Sequence, residues 1–317
     1  MATYVRTQTI DHSVGETGRV SLNLTEGDVR ARGVPGGDAH VRATFEIRAA
    51  SEAEADRIFG EIQLRVTRGE GELTVGDEGT SPSLGSIVSR LFRGNGHAEV
   101  SVETEVPARS RLQLTSVSAD AEVTGMRGEQ RYRTVSGDLR LTDLGGSVNV
   151  DAVSGDVRLR SEEPVAVQAQ SVSGDVSITA PILRALRATT VSGDVEVEGE
   201  LDGRGDFRVE TVSGDLVFGL VGSAVFEVHG ISTDVRSELD HRLEGQVDRR
   251  RLIIGSGGPR VAFNSMSGDV RVRRPRRFAP AKPTPEPDRG TELDILRALE
   301  RGEISVDEAT RRLAGGA

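Results

Sequence analysis

Apolar and polar residues alternate along most of this chain, and the alternation recurs at a fixed distance. After each Gly-Asp pair, apolar residues stand two positions apart, as in Val157 and Leu159. A second alternating run, such as Val165 and Val167, precedes the next Gly-Asp pair. Because period-2 alternation over short runs is typical of β-strands, each repeat is predicted to contain two strands separated by turns.

The turn before the first strand of each pair repeats the phrase V-S-G-D-V. Copies read "TVSGDLR", "DAVSGDV", "SVSGDVS", "TVSGDVE", "TVSGDLV" and "SMSGDVR", with weaker copies "SVSADAE" and "GISTDVR". Their aspartates are Asp120, Asp138, Asp156, Asp175, Asp194, Asp215, Asp234 and Asp269. The gaps are 18, 18, 19, 19, 21, 19 and 35 residues, and the last is interpreted as two periods with one unrecognisable copy. A period near 19 residues predicts an all-β fold, a parallel β-solenoid with rungs ~4.8 Å apart.

Ser-Gly-Asp is predicted to form a corner of each rung. Glycine would supply a backbone conformation closed to other residues, and Ser and Asp side chains would bond nearby N–H groups. The flanking valines are predicted to close the core on both sides, and the aspartates to stack in one surface column. Nearby arginines are expected to offset the repulsion between like charges. These arginines are Arg140, Arg158, Arg236 and Arg271.

The aspartates allow one alternative to a purely structural corner. A ladder of carboxylates at Asp138, Asp156, Asp175, Asp194 and Asp215 could bind cations, as the Gly/Asp turns of calcium-binding β-rolls do. Those repeats are shorter and carry several Gly-Asp positions per turn, a density absent here. The structural corner is therefore favoured, and no metal or cofactor is predicted.

The first 99 residues are predicted to cap or extend the solenoid of residues 100–274. "TEGDVRARG" at 25–33 resembles the start of a rung. The stretch "SEAEADRIFGEIQL" begins with Ser51 and Glu54 as a capping box and places Ala55, Ile58 and Phe59 on one face. It predicts a short helix on the solenoid end.

Two further segments are candidate contacts with a partner or a membrane. The first is an apolar stripe with helical spacing, formed by Leu84, Ile87, Val88, Leu91 and Phe92. The second is a basic cluster that includes Arg273, Arg274, Arg276 and Arg277. Together they predict at most weak, charge-dependent contact with an anionic membrane. The alternative is that both segments merely close the solenoid or solvate the linker.

The C-terminal part reads as a Pro-rich linker at 275–290 followed by a helical hairpin at 291–317. Leu293, Leu296 and Leu299 are either contacts for a protein partner or self-association, or the seam of the hairpin itself. Nucleic acid is not expected, because the net charge is −10 and the second helix would begin with Asp307 and Glu308.

Composition excludes several classes of chemistry. There is no cysteine, which removes disulfides, Cys-ligated metals and thiol nucleophiles. Aromatic residues are only 3% of the chain, and the repeat disperses its charged residues. A polysaccharide-active β-helix enzyme would need a cleft with clustered acids and aromatic platforms. No enzyme and no small-molecule substrate are therefore predicted. Without a visible signal peptide or apolar span, the expected location is the cytoplasm, including the inner face of the membrane.

Three features together resemble a known bacterial family. They are the strand entry "ETEVPARSRLQL", the "TVSGDV" rungs and the terminal "ILRALERGEISVDEATRRL". Over about residues 1–275 the chain resembles the family DUF4097, labelled "putative adhesin". The resemblance implies a β-solenoid without known chemistry, sometimes linked to cell-envelope stress. The expected function is a non-enzymatic scaffold or interaction protein. A self-assembling filament and a surface adhesin are the alternatives.

Overall fold

The repeat folds as a stack of parallel rungs with two strands in each rung. The computed structural model describes residues 2–77, 98–246 and 249–276, all within one unit, Met1–Arg277. The central strands are β8 (Glu129–Thr134), β9 (Leu139–Thr142), β10 (Gly146–Ala152), β11 (Val157–Arg160), β12 (Val165–Ser173), β13 (Val176–Ser192), β14 (Val195–Leu201), β15 (Phe207–Ser213) and β16 (Leu216–Val221). The predicted parallel β-solenoid is confirmed.

Equivalent residues of successive rungs lie in register. Val157 pairs with Leu139 on one side and Val176 on the other, and Val195 continues the row. Strands β8, β10, β12, the second half of β13 and β15 form one face of the stack. Strands β9, β11, the first half of β13, β14 and β16 form the other. The Gly-Asp corner lies between the two faces.

The core is the space between these faces, filled by every second side chain. Aliphatic residues dominate it, together with fully buried Tyr132, Phe207 and Phe218. Tyr132 donates a hydrogen bond to Gln130, which donates to the carbonyl of Gly145. Burial raises the pKa of the Tyr132 phenol, so it stays a neutral donor.

The N-terminal end combines one rung with a set of antiparallel strands. Strands β2 (Arg19–Val34) and β7 (Arg111–Thr124) each cross both faces and pair in parallel, so that Asp28 lies beside Asp120. The rung predicted at 25–33 is thereby confirmed. Beyond β2 lie β5 (Glu72–Gly76) and β6 (Ala98–Pro107). These are followed by the antiparallel strands β4 (Arg65–Gly69), β3 (Asp38–Ala49) and β1 (Ala2–Ser13).

The helix predicted in the N-terminal region is α1, Glu52–Ile62. The Ser51 hydroxyl accepts a hydrogen bond from the N–H of Glu54, and the Glu54 carboxylate accepts from the N–H of Ala50. Ala55 is buried, and the Phe59 ring meets Phe45 of β3 edge-on at 5.3 Å. The helix therefore packs on the antiparallel sheet at the solenoid end, as expected.

The C-terminal end departs from the predicted order of rungs. Its strands are β17 (Ala224–Ser232), β18 (Val235–Ser237), β19 (His241–Gln246), β20 (Arg249–Ile254), β21 (Arg260–Ser267) and β22 (Val270–Arg273). Strand β21 inserts between β15 and β17, and β22 lies between β16 and β18.

The prediction of an unrecognised rung between Asp234 and Asp269 is wrong. Residues 241–254 instead form β19 and β20, which pair antiparallel with each other, and β20 pairs antiparallel with β17. Antiparallel strands need no Gly-Asp corner, and for this reason the motif is missing there. No helix in the described part of the chain is long and apolar enough to cross a membrane.

Candidate interaction surface

The aspartates of the repeat form one continuous ladder, named here the aspartate column. In every aspartate but the last, the side-chain Oδ1 accepts a hydrogen bond from the backbone N–H of the aspartate in the next rung, at 2.7–3.1 Å. Its spatial order is Asp120, Asp138, Asp156, Asp175, Asp194, Asp215, Asp269 and Asp234. The predicted stacking of Asp138, Asp156, Asp175 and Asp194 is confirmed.

A second hydrogen bond completes each contact between corners. The Asp175 N–H donates to Asp156 Oδ1 at 3.1 Å, and the Val157 N–H donates to the Asp175 carbonyl at 2.9 Å. The carboxylate oxygen thus takes the place of a backbone carbonyl where the chain turns between faces. Unpaired buried or half-buried N–H groups are unfavourable, so the aspartate is a structural requirement of the corner.

Glycine is required in the corner mainly because successive rungs approach closely. A Cβ on Gly174 would lie 2.3 Å from the carbonyl oxygen of Gly155, and one on Gly214 would lie 2.2 Å from that of Gly193. Only some of these glycines, such as Gly174 with φ of 143°, also have the left-handed φ that the sequence argument expected.

In most rungs, the residue before the corner valine places a hydroxyl inside the turn, whereas Ala152 stands at this position before Val153. Thr134 Oγ1 accepts a hydrogen bond from the Gly137 N–H at 3.1 Å, and the Ser116 hydroxyl donates to Thr134 Oγ1 at 3.2 Å. Ser171, Thr190 and Thr211 hold the same position in later rungs and are buried. This hydroxyl column was not recognised from the sequence.

The valine of V-S-G-D faces solvent instead of the core, contrary to the sequence interpretation. Strand parity is the reason, because the residue before it, usually Ser or Thr, already points inward. These exposed positions form a second column along the corner, named here the apolar column. Its members and exposed fractions are Val153 (46%), Val172 (48%), Val191 (47%), Val212 (44%), Met266 (58%) and Ile231 (76%). Val148 and Val150 face the core, and continuing the strand alternation from them would have placed Val153 on the outer surface.

A shallow hollow of about 440 Å³ lies at the C-terminal end of the apolar column. Met266 and Ile231 line it on the column side, and Glu210, His229 and Asn264 contribute polar atoms. The inserted strand β21 contributes Met266, so the hollow exists only because β21 and β17 are neighbours.

Charge is unevenly distributed along the aspartate column. Arg158 contacts Asp156 at 2.7 Å and Asp138 at 3.7 Å, and its charge partly offsets those two carboxylates. Asp175, Asp194 and Asp215 are exposed, and within the described part of the chain no cation pairs with them. This acidic segment of the aspartate column, Asp175, Asp194 and Asp215, runs beside the exposed Val172, Val191 and Val212 of the apolar column.

The cation ladder stays an alternative to the structural corner. In Asp138, Asp156, Asp175, Asp194 and Asp215 the Oδ1 atom is engaged by a backbone N–H. In residues 2–77, 98–246 and 249–276, no group of three or more His, Asp or Glu side chains could hold a metal ion.

The basic cluster is corrected at Arg273. This side chain is only 7% exposed and contacts Glu198 at 3.3 Å and Glu196 at 2.5 Å. It passes Gly219, whose missing side chain leaves space between β14 and β22. Arg273 is thus part of a buried ion pair and unavailable to a membrane or partner. Arg274 and Arg276 are exposed.

The remaining predicted contacts lie outside the described residues. These are Leu84, Ile87, Val88, Leu91, Phe92, Arg277, Leu293, Leu296 and Leu299, with the linker beyond Arg276 and the helical hairpin. Their predicted roles stay predictions.

A larger concave surface, about 730 Å³, lies on the outer face of the N-terminal strands. Arginines and glutamates alternate across it, with Arg30 at 4.0 Å from Glu103 and 3.9 Å from Glu122. His40 Nδ1 lies 2.7 Å from the Asp11 carboxylate. That hydrogen bond raises the pKa of His40 above 6.5, with further support from the charges of Asp11, Asp38 and Glu105. This balanced surface shows no single sign of charge.

Several solved structures are similar to this chain at low sequence identity. One is described as a "putative adhesin" from Bacteroides fragilis, with 12% identity, a TM-score of 0.44, and coverage of 84% of this chain and 97% of that chain. Another is a "putative lipid binding protein" from Parabacteroides distasonis, with 10% identity, a TM-score of 0.45, and coverage of 84% and 96%. A third is a "putative cell adhesion protein" from Clostridium sporogenes, with 9% identity, a TM-score of 0.26, and coverage of 86% and 100%.

Sequence comparison is more local. No curated protein matches this chain. The model of the family described as Toastrack DUF4097 matches residues 96–185, from just before β6 to the middle of β13. This segment contains four aspartates of the column, Asp120 to Asp175, with their corners. Over residues 96–185 the chain is therefore similar to the family described as Toastrack DUF4097.

Proposed function

We propose that this protein is a non-enzymatic interaction scaffold that binds a protein partner along the apolar column. The observation that supports the proposal is the repetition of an exposed apolar side chain at one corner of six successive rungs. Scattered single apolar residues are normal on a protein surface, whereas a contiguous row is typical of an interaction site. The link to the cell envelope that the family resemblance implies belongs to the same proposal.

The distribution of chemistry along the stack agrees with binding better than with catalysis. The repeat provides the same serine, glycine and aspartate in every rung, and the aspartate Oδ1 atoms are engaged in backbone hydrogen bonds. A catalytic site needs different groups brought together at one place. A repeated linear surface instead suits an elongated partner.

The C-terminal end of the stack is less suited to contact than its side. At the C-terminal end, all six residues of β19 are exposed, and Arg242 and Glu244 form an ion pair at 3.0 Å. Charged side chains on an edge strand disfavour pairing with another chain. This supports lateral docking over the end-to-end filament.

Site-specific photo-cross-linking tests the proposal. A photoreactive residue placed at Val191 in the full chain is expected to give one discrete covalent adduct with the protein partner. The same residue at exposed Arg204, in the opposite turn of the same stack, is the matched control and should give none. V172T and V212T should suppress the Val191 adduct, because they make the neighbouring rungs polar with little change of shape. Absence of the adduct, or equal adducts from Arg204, would contradict the proposal.

A further inference from the structure

The acidic segment of the aspartate column lies beside Val172, Val191 and Val212, each more than 40% exposed, and this pairing indicates what kind of partner fits. Within each rung the aspartate follows the apolar residue by three positions, as in Val172 and Asp175 or Val191 and Asp194. The two columns therefore run parallel, one apolar and one negative, along the same corner.

Within the described part of the chain, no cationic side chain forms an ion pair with Asp175, Asp194 or Asp215. Ser177, Glu196 and Val217 occupy the position from which Arg158 partly offsets the charge in an earlier rung. Like charges one rung apart repel each other, and a positively charged partner would relieve that repulsion. Charge complementarity thus favours a basic partner.

The spacing of the apolar column favours a helix over a strand as the docked element. Rungs recur every ~4.8 Å. Apolar residues at alternating three- and four-residue intervals on an α-helix recur about every 5 Å along its axis. Alternate residues of a β-strand recur about every 7 Å, which would miss successive rungs. A helix that lies along the stack can place one apolar side chain against each rung.

Building on the proposed function, we propose that the partner element is a basic amphipathic helix. Its apolar stripe packs on Val172, Val191 and Val212, and its Lys and Arg side chains contact Asp175, Asp194 and Asp215. The hollow beside Met266 and Ile231 receives an apolar side chain at one end of the helix.

Two synthetic helical peptides, studied by fluorescence anisotropy with the full chain, test the inference. Both have the same leucine stripe, flanked by arginines in one and by glutamates in the other. The arginine peptide is expected to bind at least tenfold more tightly than the glutamate peptide, and more weakly as salt rises.

Two triple variants separate the columns. V172T/V191T/V212T should weaken the arginine peptide at least tenfold. D175N/D194N/D215N keeps Oδ1 as the acceptor for the next rung's N–H but removes the charge. It should weaken the same peptide about fivefold and flatten the salt dependence. Thermal unfolding of each variant confirms that the stack is intact.

Each contrary result has a distinct meaning. Equal binding of the two peptides, or unchanged affinity in the asparagine variant, would overturn the basic partner but leave docking on the apolar column standing. Unchanged affinity in the threonine variant would overturn both. Absence of binding by the arginine peptide would overturn the inference alone, because the Val191 cross-link tests the proposed function independently.

Discussion

The central rungs and the C-terminal rungs use the same motif but stack in different orders. From Asp120 to Asp215 each rung lies on the one before it in the sequence. At the C-terminal end, the rung of Asp269 lies between those of Asp215 and Asp234, although Asp234 follows Asp215 by an ordinary period of 19 residues. The motif therefore specifies how a corner fits its neighbour and not which neighbour it receives.

What differs between the two regions is the chemistry outside the corner. The central rungs are joined by short turns that leave the next strand only one place to pair. At the C-terminal end, β19 and β20 reverse the chain, and Arg273 reaches over β16 to Glu198 of β14. These contacts tie the inserted rung to a rung two positions away.

The largest expected effect comes from a substitution that disturbs the close approach of successive rungs in the central stack. Gly174→Val would place a Cβ 2.3 Å from the carbonyl oxygen of Gly155 at a φ of 143°. We expect the free energy of unfolding to fall by about 3–5 kcal/mol, since overpacking adds to backbone strain. Chemical denaturation measures it. Gly203→Ala, where nothing lies within 4 Å, should change stability by about 0.5 kcal/mol or less. Similar losses for both variants would contradict the close-approach argument.

The next effect concerns the inserted rung. Arg273→Met removes the guanidinium that contacts the Glu198 carboxylate at 3.3 Å, where Glu198 is only 6% exposed. We expect a loss of about 3 kcal/mol in unfolding free energy. The double variant R273M/E198M should recover most of that loss, since replacing both charges by apolar groups leaves no charge buried between the strands.

Arg271→Met is the control for the inserted rung, because Arg271 is an exposed residue on the same strand. It should change stability by about 0.5 kcal/mol or less. Equal losses for R271M and R273M would show that the pair with Glu198 does not hold the inserted rung.

The same two regions show how far the sequence determines this fold. Period-2 alternation and the repeat of Gly-Asp are local signals, and they were enough to predict strands, corners and the aspartate column. The insertion of β21 and β22 depends on long-range pairing, which the spacing of 35 residues between Asp234 and Asp269 does not encode. A gap of this length fits one unrecognised rung and a pair of antiparallel strands equally well.

The candidate surface was only partly predictable, for a similar reason. The motif draws attention to aspartate, and the outward direction of the valine follows only from counting strand parity through Thr190 and Val191. The burial of Arg273 could not be inferred, because its partner Glu198 lies 75 residues earlier and meets it only through the gap at Gly219.

A smaller effect compares an inner aspartate with the one at the end of the column. Asp175→Ala removes the acceptor for the Asp194 N–H, and we expect a loss of about 1–1.5 kcal/mol, measured by chemical denaturation. Asp175→Asn should lose much less, because its side-chain oxygen can still accept. Asp234→Ala should also lose less, since Asp234 is the last member and contacts only the exposed Arg236 and half-buried Arg250. A similar loss for D175A and D234A would show that the inter-rung hydrogen bond contributes little.

The smallest effect lies at the other end of the molecule, where no aspartate ladder exists. The hydrogen bond to Asp11 raises the pKa of His40 above its ordinary value of 6.5. A raised pKa stabilises the folded protein fully below pH 6.5, and that contribution is lost as pH rises through the raised value. The effect on stability is small because both side chains are more than half exposed to solvent. NMR titration of the His40 imidazole should give a pKa above 6.5 that falls in D11N, and an unchanged pKa in D11N would rule out the hydrogen bond as its cause.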